Sequence, residues 1–245
     1  MTIDDNGWDS RAWTDGHWLY REPRRPEVTP RLQAEAVLLP WLAPHLPLPV
    51  PVPELTASGV RHRLLLGQPL EDAPVGEALG RFLCALHGVD PVEAVKHSAE
   101  DYETAQADRR AVQARMAAEV LPRLPAAYRA RGEDLLAEVA EVPSDGRLIH
   151  ADLGPEHILV TDTQVTGVID WTDAHIGDPA LDLAWLLHGA PRVIAEGVAR
   201  TYSPTPYLRD RARAWHRLGP WYAVLHALDH NHPTAEPLAS VTARL

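Results

Sequence analysis

The stretch Leu148-Ile149-His150-Ala151-Asp152-Leu153-Gly154-Pro155-Glu156-His157-Ile158-Leu159-Val160, followed by Val168-Ile169-Asp170-Trp171, decides the fold. An apolar run enters a polar knot of His150, Asp152 and His157. A second apolar run leaves it. After the polar turn Thr161-Asp162-Thr163-Gln164, a third run ends on Asp170. Runs of this length read as short buried strands. Ionisable groups at buried strand ends are costly unless they do chemistry or bind metal. The spacing suits phosphoryl transfer, with one aspartate near a substrate hydroxyl and two further groups as Mg²⁺ ligands.

The segment resembles the catalytic loop and metal segment of the aminoglycoside phosphotransferase family, the small-molecule branch of the protein-kinase-like fold. That family's loop reads roughly H-G-D-x-x-x-x-N. Here it is His150-Ala151-Asp152, with His157 in the Asn place and Asp170 in the place of the metal aspartate. Gly177-Asp178-Pro179-Ala180-Leu181-Asp182-Leu183-Ala184 also resembles the family. The close likeness covers residues 146 to 188, with weaker likeness over Gly7 to Pro53 and Gly76 to Asp90.

The resemblance implies an α+β, bilobal protein-kinase-like fold. Residues 1–66 would form a short N-terminal hairpin-and-helix lobe that binds nucleotide, and residues 67–245 a mostly helical lobe with the catalytic loop and substrate cleft. It implies Asp152 as catalytic base, with Asp170 and His157 as ligands of Mg²⁺ or Mn²⁺. The donor, ATP or GTP, would meet Arg21 in the place of the phosphate-binding Lys, its partner Glu35, and Leu64 and Leu66. Each residue has a plainer reading. Asp152 suits a loop cap and Asp170 a strand-end turn. His157 suits a space-filling role, and Arg21 a surface basic cluster with Arg24 and Arg25. His150, Asp178 and Asp182 are expected to brace the loop, and His87, at a helix end, to be structural; Asp178 also suits a helix start before Pro179.

His157 departs from the family's Asn. Mg²⁺ prefers oxygen donors, whereas Mn²⁺ tolerates imidazole nitrogen better. The single lysine, Lys96, leaves 22 of the 23 basic residues as arginine. Any phosphate contact in the N-terminal part therefore comes from Arg.

At 245 residues and 45% hydrophobic content, the chain can bury a sizeable core. No apolar run approaches a membrane span, and Met1-Thr2-Ile3-Asp4-Asp5 lacks the apolar core of a secretory signal. A cytoplasmic location, with neither membrane nor nucleic acid as partner, is the expectation. The net charge of −11 opposes nucleic-acid binding and suits a small cationic, hydroxyl-bearing partner. Cys84, between Leu83 and Leu86, reads as a core residue.

Along the chain, Thr14-Asp15-Gly16 marks a hairpin within residues 7 to 23. Residues 30 to 43 read as a helix, 44 to 53 as an extended proline-rich connector, and Val60 to Leu66 as a strand. Helices are expected over 74–88, 100–142 (interrupted by Pro122 and Pro125), 179–202 and 207–230. Gly7 is the sole glycine of the nucleotide-covering loop. Trp215, Trp221, Tyr222, His226, Asp229 and His230 read either as core or as substrate-cleft lining.

The function expected is a small-molecule kinase that phosphorylates an antibiotic hydroxyl, with an aminoglycoside as first choice. A macrolide, amino alcohol or sugar-like acceptor is the alternative, as is a non-catalytic ligand-binding relative. A metal-dependent hydrolase would need more ligands than this segment supplies.

Overall fold

The structure is a computed structural model and describes residues 2–4, 10–140 and 146–245. The expected nucleotide-covering loop around Gly7 lies outside these residues.

The hairpin is the centre of a five-stranded antiparallel sheet. Strands β1 (Thr2–Asp4), β2 (Ser10–Thr14) and β3 (Trp18–Pro23) are followed by helix α1 (Thr29–Leu42), β4 (Glu54–Leu55) and β5 (Val60–Arg63). The sheet order is β1-β2-β3-β5-β4. The Asp-Gly turn works as its chemistry dictates. Asp15 Oδ1 accepts from the N–H groups of His17 and Trp18 at 2.9 and 2.8 Å, and Gly16 takes φ +94°. Strand alternation then sorts the side chains. Trp13 stacks on Tyr20, and Arg61 and Arg63 flank the Trp18 ring. Ser10, Arg21, Val60 and His62 are buried. Val60 meets Leu32 of α1 and Val28 in a small core.

The strand expected over 60–66 ends at Arg63. The N–H of Leu64 bonds to the His17 carbonyl at 3.0 Å, and Gly67 turns the chain at φ +148°.

The rest of the chain builds a helical body: β6 (Gln68–Pro69), α2 (Gly76–His87), α3 (Pro91–Lys96), α4 (Tyr102–Arg115), α5 (Ala126–Ala140), β7 (Arg147–Ile149), β8 (Ile158–Thr161), β9 (Gln164–Val168), β10 (His175–Gly177), α6 (Ala180–His188), α7 (Arg192–Tyr202), α8 (Pro206–Asp229) and α9 (Ala235–Arg244). Strands β6-β8-β9 form one small sheet and β10-β7 another. Leu79, Phe82, Leu83 and Leu86 of α2 join Leu183, Ile194, Leu218 and Trp221 in one core. Helices α2 and α7 approach closely at glycine: a Cβ on Gly76 would stand 2.2 Å from the Ile194 carbonyl oxygen.

The interruption expected at Pro122 and Pro125 is present: a π-turn over Met116–Val120 and a 3₁₀ turn over Leu121–Arg123 separate α4 from α5. Two expectations change here. Residues 179–202 form two helices, because Gly189-Ala190-Pro191 breaks the run. Cys84 is exposed rather than core, since Leu79, Phe82, Leu83 and Leu86 take the buried face.

A buried charge pair fixes α8 to the loop before α6. Asp178 Oδ2 accepts from Arg211 Nε and Nη2 at 2.8 and 2.5 Å and from Trp215 Nε1 at 2.7 Å, while Oδ1 caps the Ala180 N–H. Removing one partner of such a pair strands the other, at a cost of about 3–5 kcal/mol. Asp178→Ala is therefore expected to lower the urea midpoint sharply without changing the m-value.

Candidate active site

The loop before β8 is held from beneath. Asp182 of α6 is fully buried; it accepts from the backbone N–H of His150 and Ala151 at 2.9 and 2.8 Å, and its third partner is His87 Nε2 at 3.1 Å. Burial alone would raise its pKa, but these contacts, led by His87, hold it below the usual carboxylate range. Ala151, in the family's Gly place, takes φ +71°, a left-handed conformation that costs about 1–2 kcal/mol outside glycine. The hydrogen bond to Asp182 holds it there.

His150 is buried, with Nε2 bonded to the Ile169 carbonyl at 2.9 Å and Nδ1 accepting from the Asp152 N–H at 3.3 Å. That pairing selects the neutral Nε2–H tautomer. Burial pushes its pKa down in the same direction. His150 thus ties the loop to the segment that carries Asp170, as expected for a bracing residue.

Above this base the loop presents its reactive groups. The Asp152 side chain is 57% exposed and opens into a cleft of about 920 Å³ between α1, α4, α6 and α8. His157 donates from Nδ1 to the Asp152 carbonyl at 2.7 Å, which leaves its Nε2 lone pair 3.7 Å from Asp170 Oδ2. Two electron-rich atoms facing one another at that distance fit a divalent cation between or beside them, and the backbone bond fixes the imidazole in the ligating tautomer. Among the described residues no three His, Cys, Asp or Glu side chains converge as a metal cage. A metal here would draw its remaining ligands from phosphate and water.

Asp170, at φ +62°, receives the other lobe. Burial would raise its pKa, but Arg21 first, then His157 and Thr172, bring it below the ordinary value. Arg21 reaches it from β3. Its Nη1 donates to Glu35 Oε1 and Oε2 at 3.0 and 2.9 Å, and its Nη2 to Asp170 Oδ1 at 3.2 Å and Thr172 Oγ1 at 2.7 Å. Its Nε donates to Ser10 Oγ at 3.3 Å. Glu35 is 2% exposed, and burial pushes its pKa up despite Arg21.

The structure thus brings Arg21, Glu35, Asp170, His157 and Asp152 together, whereas Arg24 and Arg25 stay exposed. Leu64 and Leu66 stand apart from this group. They line a smaller cavity of about 510 Å³ against the β8–β9 turn. Trp215 and Tyr222 line the cleft of Asp152, while Trp221 is in the core and His226, Asp229 and His230 lie outside the cleft lining, at the end of α8. Two participants were not read from the sequence. Thr172 bonds both Arg21 and Asp170, and its place two residues after Asp170 was the available signal. Arg109 sits in the cleft wall, where nothing in the pattern of α4 marks it.

The family model described as the phosphotransferase enzyme family matches residues 2–221. Among solved structures, the chain is similar to macrolide 2'-phosphotransferase MphH from Brachybacterium faecium at 32% identity and TM-score 0.75, over 98% of this chain and 90% of that one. Macrolide 2'-phosphotransferase type I is similar at 26% identity and TM-score 0.75, over 100% and 90%. The GDP complex of wild-type aminoglycoside 2'-phosphotransferase-IIIa reaches TM-score 0.83 over 100% and 92%, but at 19% identity it speaks for the fold alone. The uncharacterized protein YcbJ of Bacillus subtilis (strain 168) is 30% identical over 191 residues, which is 67% of this chain and 60% of that protein's length. No helix among the described residues is long and apolar enough to cross a membrane. A match that runs through both the five-stranded sheet and the helical body places this chain in the phosphotransferase enzyme family, with the bilobal protein-kinase-like α+β fold of its solved relatives.

Proposed function

We propose that the chain transfers the γ-phosphate of ATP or GTP to a hydroxyl of an amino-sugar antibiotic in the cytoplasm, where such nucleotides occur. The observation that carries this reading is the placement of Asp152. Its carboxylate opens into the cleft beside the Asp170–His157 pair, so a hydroxyl in the cleft can meet a phosphate held at the pair. Asp152 orients that hydroxyl and accepts its proton as the phosphoryl group arrives. Asp170 and His157 hold a divalent cation, which when bound would neutralise charge on the phosphates. Arg21 positions the phosphates, Glu35 holds Arg21, and Leu64 and Leu66 border the base. Residues 1–66 then act as the nucleotide lobe and 67–245 as the catalytic and acceptor lobe.

A macrolide is the acceptor we favour. Leu38, Val112, Trp185, Trp215 and Tyr222 give the cleft an apolar and aromatic wall, and the two solved structures named above at more than 25% identity are macrolide 2'-phosphotransferases. An aminoglycoside is the second reading, because Glu100, Asp108 and Asp173 also face the cleft. Nucleotide turnover with a macrolide and an aminoglycoside, each with Mg²⁺ and with Mn²⁺, tests both. Turnover with neither acceptor overturns the reading.

The same assay ranks the metal ligands. Asp170→Ala is expected to weaken metal-dependent nucleotide binding more than His157→Ala. His157→Asn is expected to keep activity and to raise the Mg²⁺-to-Mn²⁺ activity ratio, since it supplies an oxygen donor. A larger loss from His157→Ala would reverse the ranking.

A further inference from the structure

Arg109 stands on α4 in the wall of the cleft that Asp152 opens into. Its guanidinium carbon lies 4.5 Å from the centroid of the Trp215 ring. Its Nη2 bonds to His175 Nε2 at 3.3 Å, and His175 is held as an acceptor because its Nδ1 is tied to the Asp173 carbonyl at 2.7 Å. Among the described residues Arg109 makes no other hydrogen bond and no ion pair. The buried carboxylate of Asp178 is already taken by Arg211 and Trp215. Burial pushes the Arg109 guanidinium below the ordinary arginine range. Stacking uses the face of a guanidinium and leaves most of its five N–H donors, which point outward in its plane, for oxygen acceptors. A half-buried cation with one neutral partner is costly unless something in the cleft completes it.

We propose that Arg109 is an acceptor-recognition residue, donating to a carbonyl oxygen on the apolar body of the acceptor, away from the hydroxyl that receives phosphate. This rests on the acceptor reading above and narrows it. A fixed cation in the cleft also repels a polycation, so the same residue selects against aminoglycosides.

The test is calorimetric binding to the full chain without nucleotide. The probes are erythromycin, which carries a lactone and a ketone, and kanamycin, which carries amines and no carbonyl. Arg109→Met is expected to weaken erythromycin about 10- to 100-fold, as for a lost hydrogen bond from a charged donor. ATP affinity is expected to stay unchanged, and kanamycin to bind equally or more tightly. Arg109→Lys is expected to recover part of the erythromycin loss. If Arg109→Met fails to fold, Arg109→Gln, which keeps a planar group over Trp215, is read by the same criterion. Equal weakening of both antibiotics with a lowered melting temperature would make Arg109 merely structural and overturn the proposal. Wild-type phosphorylation of erythromycin with unchanged affinity in Arg109→Met overturns this inference alone. A wild-type chain that binds ATP but no carbonyl-bearing acceptor overturns the acceptor reading with it.

Discussion

Asp152→Asn is expected to lower kcat by about 10²–10⁴-fold, the usual contribution of a positioned general base. The amide keeps the size of the carboxylate and can still contact a hydroxyl, but it cannot take the proton. The fold should not notice. The side chain is more than half exposed, and its nearest ion-pair approach is 3.5 Å to His157 Nδ1. The loop is held by the backbone of His150 and Ala151 on Asp182, not by the Asp152 carboxylate. Single-turnover kinetics together with a thermal melt check both halves. A variant with near-native transfer would remove Asp152 from the mechanism.

Arg21→Ala is expected to damage stability and activity together. Glu35 loses its bidentate partner while 2% exposed, and removing one member of such a pair costs about 3–5 kcal/mol. The pH dependence has a definite sign. Without Arg21, burial raises the Glu35 pKa further, so the folded chain binds a proton that the unfolded chain releases. Stability then falls as pH rises, and the loss is smaller at about pH 5 than at about pH 8. The nucleotide KM should rise and kcat fall, because the phosphate contact proposed for Arg21 would both bind and position the nucleotide. Arg21→Lys should restore part of each, since one ammonium cannot span Glu35, Asp170 and Thr172 as the planar fork does. Arg24→Ala and Arg25→Ala, at exposed positions, should change stability by no more than about 0.5 kcal/mol. Denaturant melts and steady-state kinetics measure these effects, and a fully stable, fully active Arg21→Ala would sink the assignment.

What was legible in the sequence was local or carried by motif spacing. Asp15-Gly16 announces its turn because one short side chain and one permissive backbone complete it within four residues. Pro179 and Asp178 announce the start of α6 for the same reason. The loop from His150 to His157 and the later Asp170 were readable because buried strands ending in ionisable groups are rare. Arg21 with Glu35 was readable only through the resemblance, since 14 positions separate them. Other features depend on which face of a helix the tertiary fold covers. Cys84 has the neighbours of a core residue but lies on the uncovered side of α2. Arg109 lies in a helix of polar surface character and gains meaning only when α8 brings Trp215 beneath it. Helices α3 and α9 are short, and α3 depends on the Asp90 side chain accepting from Val92 N–H, a signal that a longer-range pattern overlooks.

The guanidinium that bridges the two lobes also changes what chemistry can reach this protein. Nucleotide analogues that carry acyl or sulfonyl electrophiles label kinases by capturing a nucleophilic amine beside the phosphates. Arginine, protonated at any usable pH, offers no such amine. The one lysine of this chain is Lys96, on exposed α3, where it is paired with Glu93. With Arg21 holding the phosphates as proposed, lysine-directed affinity labels and covalent inhibitors that depend on that capture would find no lysine side chain beside them in this chain.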